Sequence, residues 1–158
     1  MQRVPMTPEG HKKLRETVKH LKEVVRPGIV LDIEEARAHG DLSENSEYED
    51  AKERQSLCEG RVRDLESRLA AAEVIDIAKQ EPSERVIFGV TVVLEDVETE
   101  EELEYRIVGD LESDVKAGTI SISSPIARAV IGKEVGDDAV VRTPKGERRF
   151  VINDVLYR

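Results

Sequence analysis

The chain has one cysteine, Cys58, among 158 residues, and no tryptophan. A single thiol excludes an internal disulfide framework and any cysteine-cluster zinc site. Histidine is scarce too. His11, His20 and His39 stand apart, and none forms an H-x-x-x-H pair. The only aromatics are Tyr48, Phe88, Tyr105, Phe150 and Tyr157, too few for a base-stacking platform or an aromatic-walled ligand pocket. Positive charge is the minority, with 24 Lys and Arg against 34 Asp and Glu and a net charge of −10. That balance opposes free binding to DNA or RNA, where phosphate neutralisation supplies most of the affinity. A nucleic-acid role would have to run through a partner protein or a local basic patch. No run approaches the ~18 apolar residues of a membrane span, and residues 1–10 lack the basic-then-apolar order of a secretory signal. The composition points to an acidic, cytoplasmic protein with no membrane partner.

What the chain does have is charge, at 37% of residues against a usual ~25%. Long, thin, solvated helices would account for it. Over residues 1–80, Leu14, Val18, Leu21 and Val25 recur at steps of four, three and four, which places them on one helical face. The stripe resumes as Ile29, Ile33 and Ala36 beyond Pro27-Gly28, where a proline inside a helix predicts a kink or a register shift. A second stripe, Ala51, Gln55, Cys58, Val62, Leu65, Leu69 and Ala72, keeps heptad spacing over three repeats. Gly40 is a candidate helix stop between the two. Two long stripes joined by a short turn predict an antiparallel coiled-coil hairpin. Residues 8–39 alone would span ~48 Å as helix.

From Glu81-Pro82-Ser83 the pattern changes. Val86–Leu94, Glu104–Val108, Thr119–Ile122, Ala139–Thr143 and Arg149–Tyr157 are β-rich runs punctuated by glycine, and they predict strands. Residues 125–131 suit one short helix, with Ser124 as N-cap and Pro125 in its first turn. The fold class is therefore α+β: a helical hairpin over 1–80 with an acidic tip at 39–50, then a small antiparallel α+β domain over 81–158. Seven acids between Glu95 and Glu104 are expected on a solvated hairpin turn.

The tip is the segment that could carry chemistry. Asp41, Glu44, Glu47, Glu49 and Asp50 gather there with no Lys or Arg between His39 and Asp50, and such crowding favours a cation. Magnesium commonly takes one or two protein carboxylates, with water and phosphate completing its octahedron. Asp41 and Glu44 could thus serve a site that already holds metal and phosphate. Helix capping is the alternative, since Asp41-x-x-Glu44 and Ser46-x-x-Glu49 both have capping-box spacing. Spacing alone leaves the two readings open.

The run Gly40-Asp41-Leu42-Ser43-Glu44-Asn45-Ser46-Glu47-Tyr48 resembles the G-D-L-x-E-N-x-E-Y signature of bacterial Gre transcript-cleavage factors, closest to the GreA branch. Further motifs fit the same family in order: Met6-Thr7-Pro8-Glu9-Gly10, Cys58-Glu59-Gly60-Arg61, Val74-Ile75-Asp76, Arg85-Val86-Ile87-Phe88-Gly89, Tyr105–Asp110, Ser124–Arg128 and Ile131-Gly132-Lys133. The resemblance implies that the hairpin enters the secondary channel of RNA polymerase while an FKBP-like second domain docks on the channel rim. It implies that Asp41 and Glu44 complete a Mg²⁺ site shared with the polymerase, which then cleaves backtracked nascent RNA near its 3′ end. The protein would be an accessory factor that holds no metal stably alone, meets nucleic acid only within the polymerase complex, and is monomeric when free. Ser43, Asn45 and Tyr48 are supporting candidates at the tip, though Ser43 and Asn45 are also ordinary turn residues and Tyr48 could simply pack on the hairpin. Arg37 and Lys52 match positions of the family's basic patch for extruded RNA. Asp50–Arg54, Glu59–Arg63 and Asp64–Arg68 are expected as i,i+4 pairs on a solvated face. Asp110, Ser123, Ser124, Pro125 and Ile126 are the docking candidates, with helix capping the alternative for Ser124 and core packing for Ile126. A non-cleaving channel plug is the runner-up function. A prolyl isomerase is disfavoured by the few aromatics of the second domain.

Overall fold

The computed structural model describes residues 2–40 and 45–158. The chain packs as two units, one formed by His11–Ala72 with the extreme amino end, the other by Arg3–Gly10 with Glu73–Arg158. The amino-terminal segment thus belongs with the second unit, whereas the hydrophobic pattern alone divides the chain at residue 81. The reason is a short pairing without helical periodicity: β1 (Val4–Met6) and β2 (Ala72–Val74) form a two-stranded sheet, and Ile75 N–H donates to Met6 O at 2.9 Å.

In the first unit, α1 (Pro8–His20) runs through a π-helical turn at Leu21–Val25 into α2 (Arg26–Arg37), and α3 (Ser46–Ala70) returns against them. Within the π turn Arg26 N–H donates to Leu21 O, five residues back. Two causes coincide there. Pro27 lacks an N–H and its ring would crowd the carbonyl four residues upstream. The apolar stripe also runs 21-25-29-33, and each step of four overshoots an α-helical turn by about 40°. A wider turn takes up the extra residue, so Leu21, Val25, Ile29 and Ile33 all meet α3. Ile29, Ile33, Ala51, Cys58 and Val62 are buried together, with Leu21, Val25 and Tyr48 packed against them. The expected register shift at Pro27 is present and lies one turn upstream of it.

Ion pairs fix the antiparallel register along the hairpin. Arg26 Nε lies 2.7 Å from Glu59 Oε1, Arg54 Nη1 lies 3.0 Å from Asp32 Oδ2, and Lys22 pairs with Glu66. The i,i+4 pairs Asp50–Arg54 and Asp64–Arg68 form at 3.4 Å. Glu59, expected to pair with Arg63, reaches across the hairpin to Arg26 instead. The pairs are exposed and add ~0.2–1 kcal/mol each; burial of the seam carries the association.

The second unit is built on a five-stranded sheet of order β5-β4-β3-β7-β6, from β3 (Thr91–Asp96), β4 (Glu102–Val108), β5 (Thr119–Ser121), β6 (Asp138–Thr143) and β7 (Gly146–Leu156). All pairs are antiparallel except β4–β5. The short helix α4 (Pro125–Val130) buries Ala127 and Val130 in the same core as Val92, Leu94, Ile107, Phe150 and Ile152. Residues 86–90, expected to begin the first long strand, form no strand, although Gly89 N–H donates to Ile107 O of β4 and Val90 O accepts from Ile107 N–H. Gly89 turns there at φ +93°, and Val86 bonds instead with Lys133 O and Gly132 N–H. Of the seven acids expected on a solvated turn, Glu98, Glu100 and Glu101 lie in the exposed β3–β4 connection, Glu102 and Glu104 are exposed on β4, Glu95 is half-buried on β3, and Asp96 departs furthest. That carboxylate is buried and accepts from Arg148 Nη2 at 3.0 Å and from the backbone N–H of Glu98 and Thr99. The Arg148 hydrogen bond first, then those backbone donors, hold its pKa below the ordinary aspartate value.

Candidate functional site

The two helices that flank the acidic segment end in different ways. α2 closes through Ala38, whose N–H is shared between Glu34 O and Glu35 O, and through Gly40 at φ +100°. A left-handed dihedral of that size suits glycine, so Gly40 stops the helix as the sequence predicts. α3 opens at Asn45, whose Oδ1 accepts from Tyr48 N–H at 3.1 Å while its Nδ2 donates to Ala36 O at 2.7 Å. One side-chain amide therefore caps the start of α3 and adds a bond to a terminal carbonyl of α2 that also accepts from His39 N–H, both at helix ends where the backbone runs short of partners. Asn45 staples the neck of the hairpin. Ser46 is the first helical residue rather than the cap, so the Ser46-x-x-Glu49 capping box that the spacing offered as an alternative does not form.

Asp41, Ser43 and Glu44, with Leu42, lie outside the described residues. With the cap of α3 supplied by Asn45, no carboxylate from 41 or 44 is needed to start that helix. Around the neck, His39 Nδ1 lies 3.2 Å from Glu47 Oε2 with both side chains exposed. Glu47 and Glu49 occupy the first turn of α3, where negative charge suits the helix dipole. The Arg37 guanidinium stands 6.0 Å from the centre of the Tyr48 ring, bringing together two candidates from different helices. Tyr48 is half-buried and packs on the hairpin core. Lys52 is exposed and donates to Gln55 Oε1 at 3.1 Å. As donors, the carboxylates at 41 and 44 are two hard oxygen ligands of the type Mg²⁺ takes, too few for a complete octahedral shell.

The docking candidates gather within the second unit. Ser123 Oγ donates to Asp110 Oδ1 at 2.7 Å, and Ser121 Oγ donates to the same oxygen. The parallel β4–β5 register, with Val108 opposite Ser121, brings these residues together. Ser121 was not among the sequence candidates; the alternate-residue spacing Ser121-x-Ser123 was its only signal. Ser124 caps α4 by accepting from Ala127 N–H at 3.2 Å, and Pro125 follows in the first turn. Ile126 lines an apolar cleft of about 260 Å³ with Tyr105, Val115, Ile120 and Phe150, and Arg148 stands at its polar side.

Two family models divide the chain between them. "Transcription elongation factor, N-terminal" matches residues 4–74, and "Transcription elongation factor, GreA/GreB, C-term" matches residues 81–157. The chain belongs to the GreA/GreB family of transcription elongation factors. It is 54% identical over 157 residues to the transcription elongation factor GreA of Psychrobacter arcticus, covering 99% of both chains. It is 54% identical over 158 residues to that of Hyphomonas neptunium, covering each completely. Among solved structures it resembles the GreA factor homolog 1 of Thermus thermophilus at 29% identity and a TM-score of 0.44, over 98% of this chain and 99% of that one. Within a GreA/GreB protein, the hairpin neck and the Asp110 cluster are the two places where the candidate residues converge.

Proposed function

We propose that this GreA/GreB family member stimulates RNA polymerase to cleave backtracked nascent RNA, by presenting Asp41 and Glu44 from the end of its helical hairpin. As a transcription elongation factor it is an accessory protein of the polymerase. The observation that carries the reading is the neck geometry. Asn45 fastens the end of α2 to the start of α3, so residues 41–44, which carry both carboxylates, join two helix ends that are held to each other. In this reading the hairpin enters the secondary channel, reaches the RNA 3′ end, and the protein acts as a monomer.

Asp41 and Glu44 would hold a Mg²⁺ jointly with the polymerase. The ion supplies charge stabilisation for the attacking and leaving oxygens of a phosphodiester displacement. The chain's own contribution is positional. Asn45 holds the two helix ends together, Tyr48 rests on the hairpin core, and Arg37 beside its ring offers a cation to the RNA backbone. Ser43 serves beside the two acids. Lys52, exposed one turn further along α3, serves as a second cation. Asp110 and Ser123 to Ile126 form the surface that meets the channel rim.

The discriminating experiment adds the protein and Mg²⁺ to stalled elongation complexes carrying end-labelled RNA. Shortened RNA that is re-extended on nucleotide addition supports cleavage. Inhibition with no shortened RNA replaces the reading with a channel plug.

A further inference from the structure

The five-stranded sheet ends at β6, which pairs with β7 along one side. Among the described residues, no backbone hydrogen bond joins β6 to any segment other than β7. Its other side carries a row of N–H and C=O groups, a ready template for a further strand. The opposite edge of the sheet offers less, since β5 has three residues. β6 has six, and it lacks the devices that usually blunt an edge. It contains no proline or lysine, its pairing with β7 has no bulge, and its inward side chains Ala139 and Val141 are uncharged. Room lies beside it as well. An open groove of about 480 Å³ is bounded by Pro125, Arg128 and Ala129 on the α4 side and by Val140 and Arg142 of β6.

Asp138, Val140 and Arg142 share the exposed face of β6, while Ala139 and Val141 are buried on the other. Val140 is 40% exposed, and Arg142, 3.4 Å from Glu147, keeps 85% of its side-chain surface open. We infer that a second copy of this chain occupies the edge, β6 against β6 in an antiparallel pair centred on Val140. The register follows from alternation. In a pair related by a two-fold axis, residues opposite each other lie on the same face, so the pair centres on one residue and its own copy. Centring on Ala139 sets Asp138 against Val140, and centring on Val141 sets Arg142 against Val140. Centring on Val140 sets Asp138 against Arg142 at both ends, Ala139 against Val141, and the exposed valine against itself. Opposite charges facing each other across a ladder stabilise it, and like charges oppose it. The edge is complementary to itself. This association belongs to the free protein, replaces the monomeric free state expected from the family resemblance, and does not rest on the cleavage function proposed above.

The test is sedimentation of the full-length protein from about 1 μM to about 1 mM, the span of weak affinities. Wild type is expected to pass from monomer to dimer and to stop there, because a two-fold contact consumes the β6 edge of each copy. Asp138→Arg and Arg142→Asp each set like charges at both ends of the pair. Each variant alone is expected to dimerise at least about ten-fold more weakly. An equimolar mixture of the two is expected to recover wild-type association, since each variant supplies the charge that the other lacks. A wild type that stays monomeric throughout would overturn the inference. So would dimers that both variants leave unchanged, growth beyond two copies, or a mixture that associates no more strongly than its components.

Discussion

Asn45 accepts at one end of its amide and donates at the other, so that one side chain ties both helices at the hairpin neck. Asn45→Ala is expected to lower stability by about 1–2 kcal/mol, through loss of the cap and of the bond to Ala36 O. Asn45→Asp keeps the acceptor and should lose less. Urea unfolding of the three proteins measures the difference. Asp96 gives a pH-dependent counterpart. Its folded pKa is depressed by Arg148 and two backbone donors, so the unfolded chain binds the proton more readily. Its stabilisation is complete above the unfolded value of ~3.9 and is lost as pH falls through the lower folded value. Asp96→Asn should flatten the unfolding midpoint against pH below ~4. A parent and variant with parallel curves there would contradict this. At this scale the sequence was informative where function is local. Gly40 and Ser124 act within their own turns and were legible from spacing. Asn45, Asp96 and Glu112 act through Ala36, Arg148 and Thr7, partners 9, 52 and 105 residues away, and no local pattern encodes those.

Among the elements, the π turn shows how a seam overrides regular helix geometry. Both Pro27 and the run of four-residue steps favour it, and the seam is the more demanding of the two because it orients Ile29, Ile33 and Ala36, the buried residues of α2. Pro27→Ala is therefore expected to leave the Arg26 N–H to Leu21 O bond in place and to shift stability by no more than ~1 kcal/mol. A trans-hydrogen-bond coupling between those residues checks it, and a coupling to Lys22 O instead would show that proline alone creates the turn. Leu65 tests the seam itself: it is buried in α3, and Leu65→Ala should cost about 2–4 kcal/mol in urea unfolding. Periodicity revealed both helices and most strands, since each buries one face. It could not reveal β1 and β2, three residues each, or the diversion of residues 86–90, where Gly89 breaks an otherwise strand-like run.

For the molecule as a whole, the hairpin, the sheet domain and the acidic segment could be read from pattern, and the family from its ordered motifs. The assignment of Arg3–Gly10 to the second unit could not, because it depends on Glu112 and on the β1–β2 pairing. The account's central claim is that Asp41 and Glu44 act on a partner's chemistry rather than on this chain's own folding. The most direct measurement compares wild type, Asp41→Asn and Glu44→Gln in stalled elongation complexes, recording RNA shortening and polymerase binding together. The account expects both variants to bind as wild type does, to melt as it does, and to give no cleavage above the polymerase's own background. Cleavage retained in both variants, accompanied by a stability loss of ~1 kcal/mol, is what helix capping alone would produce, and it would contradict the claim.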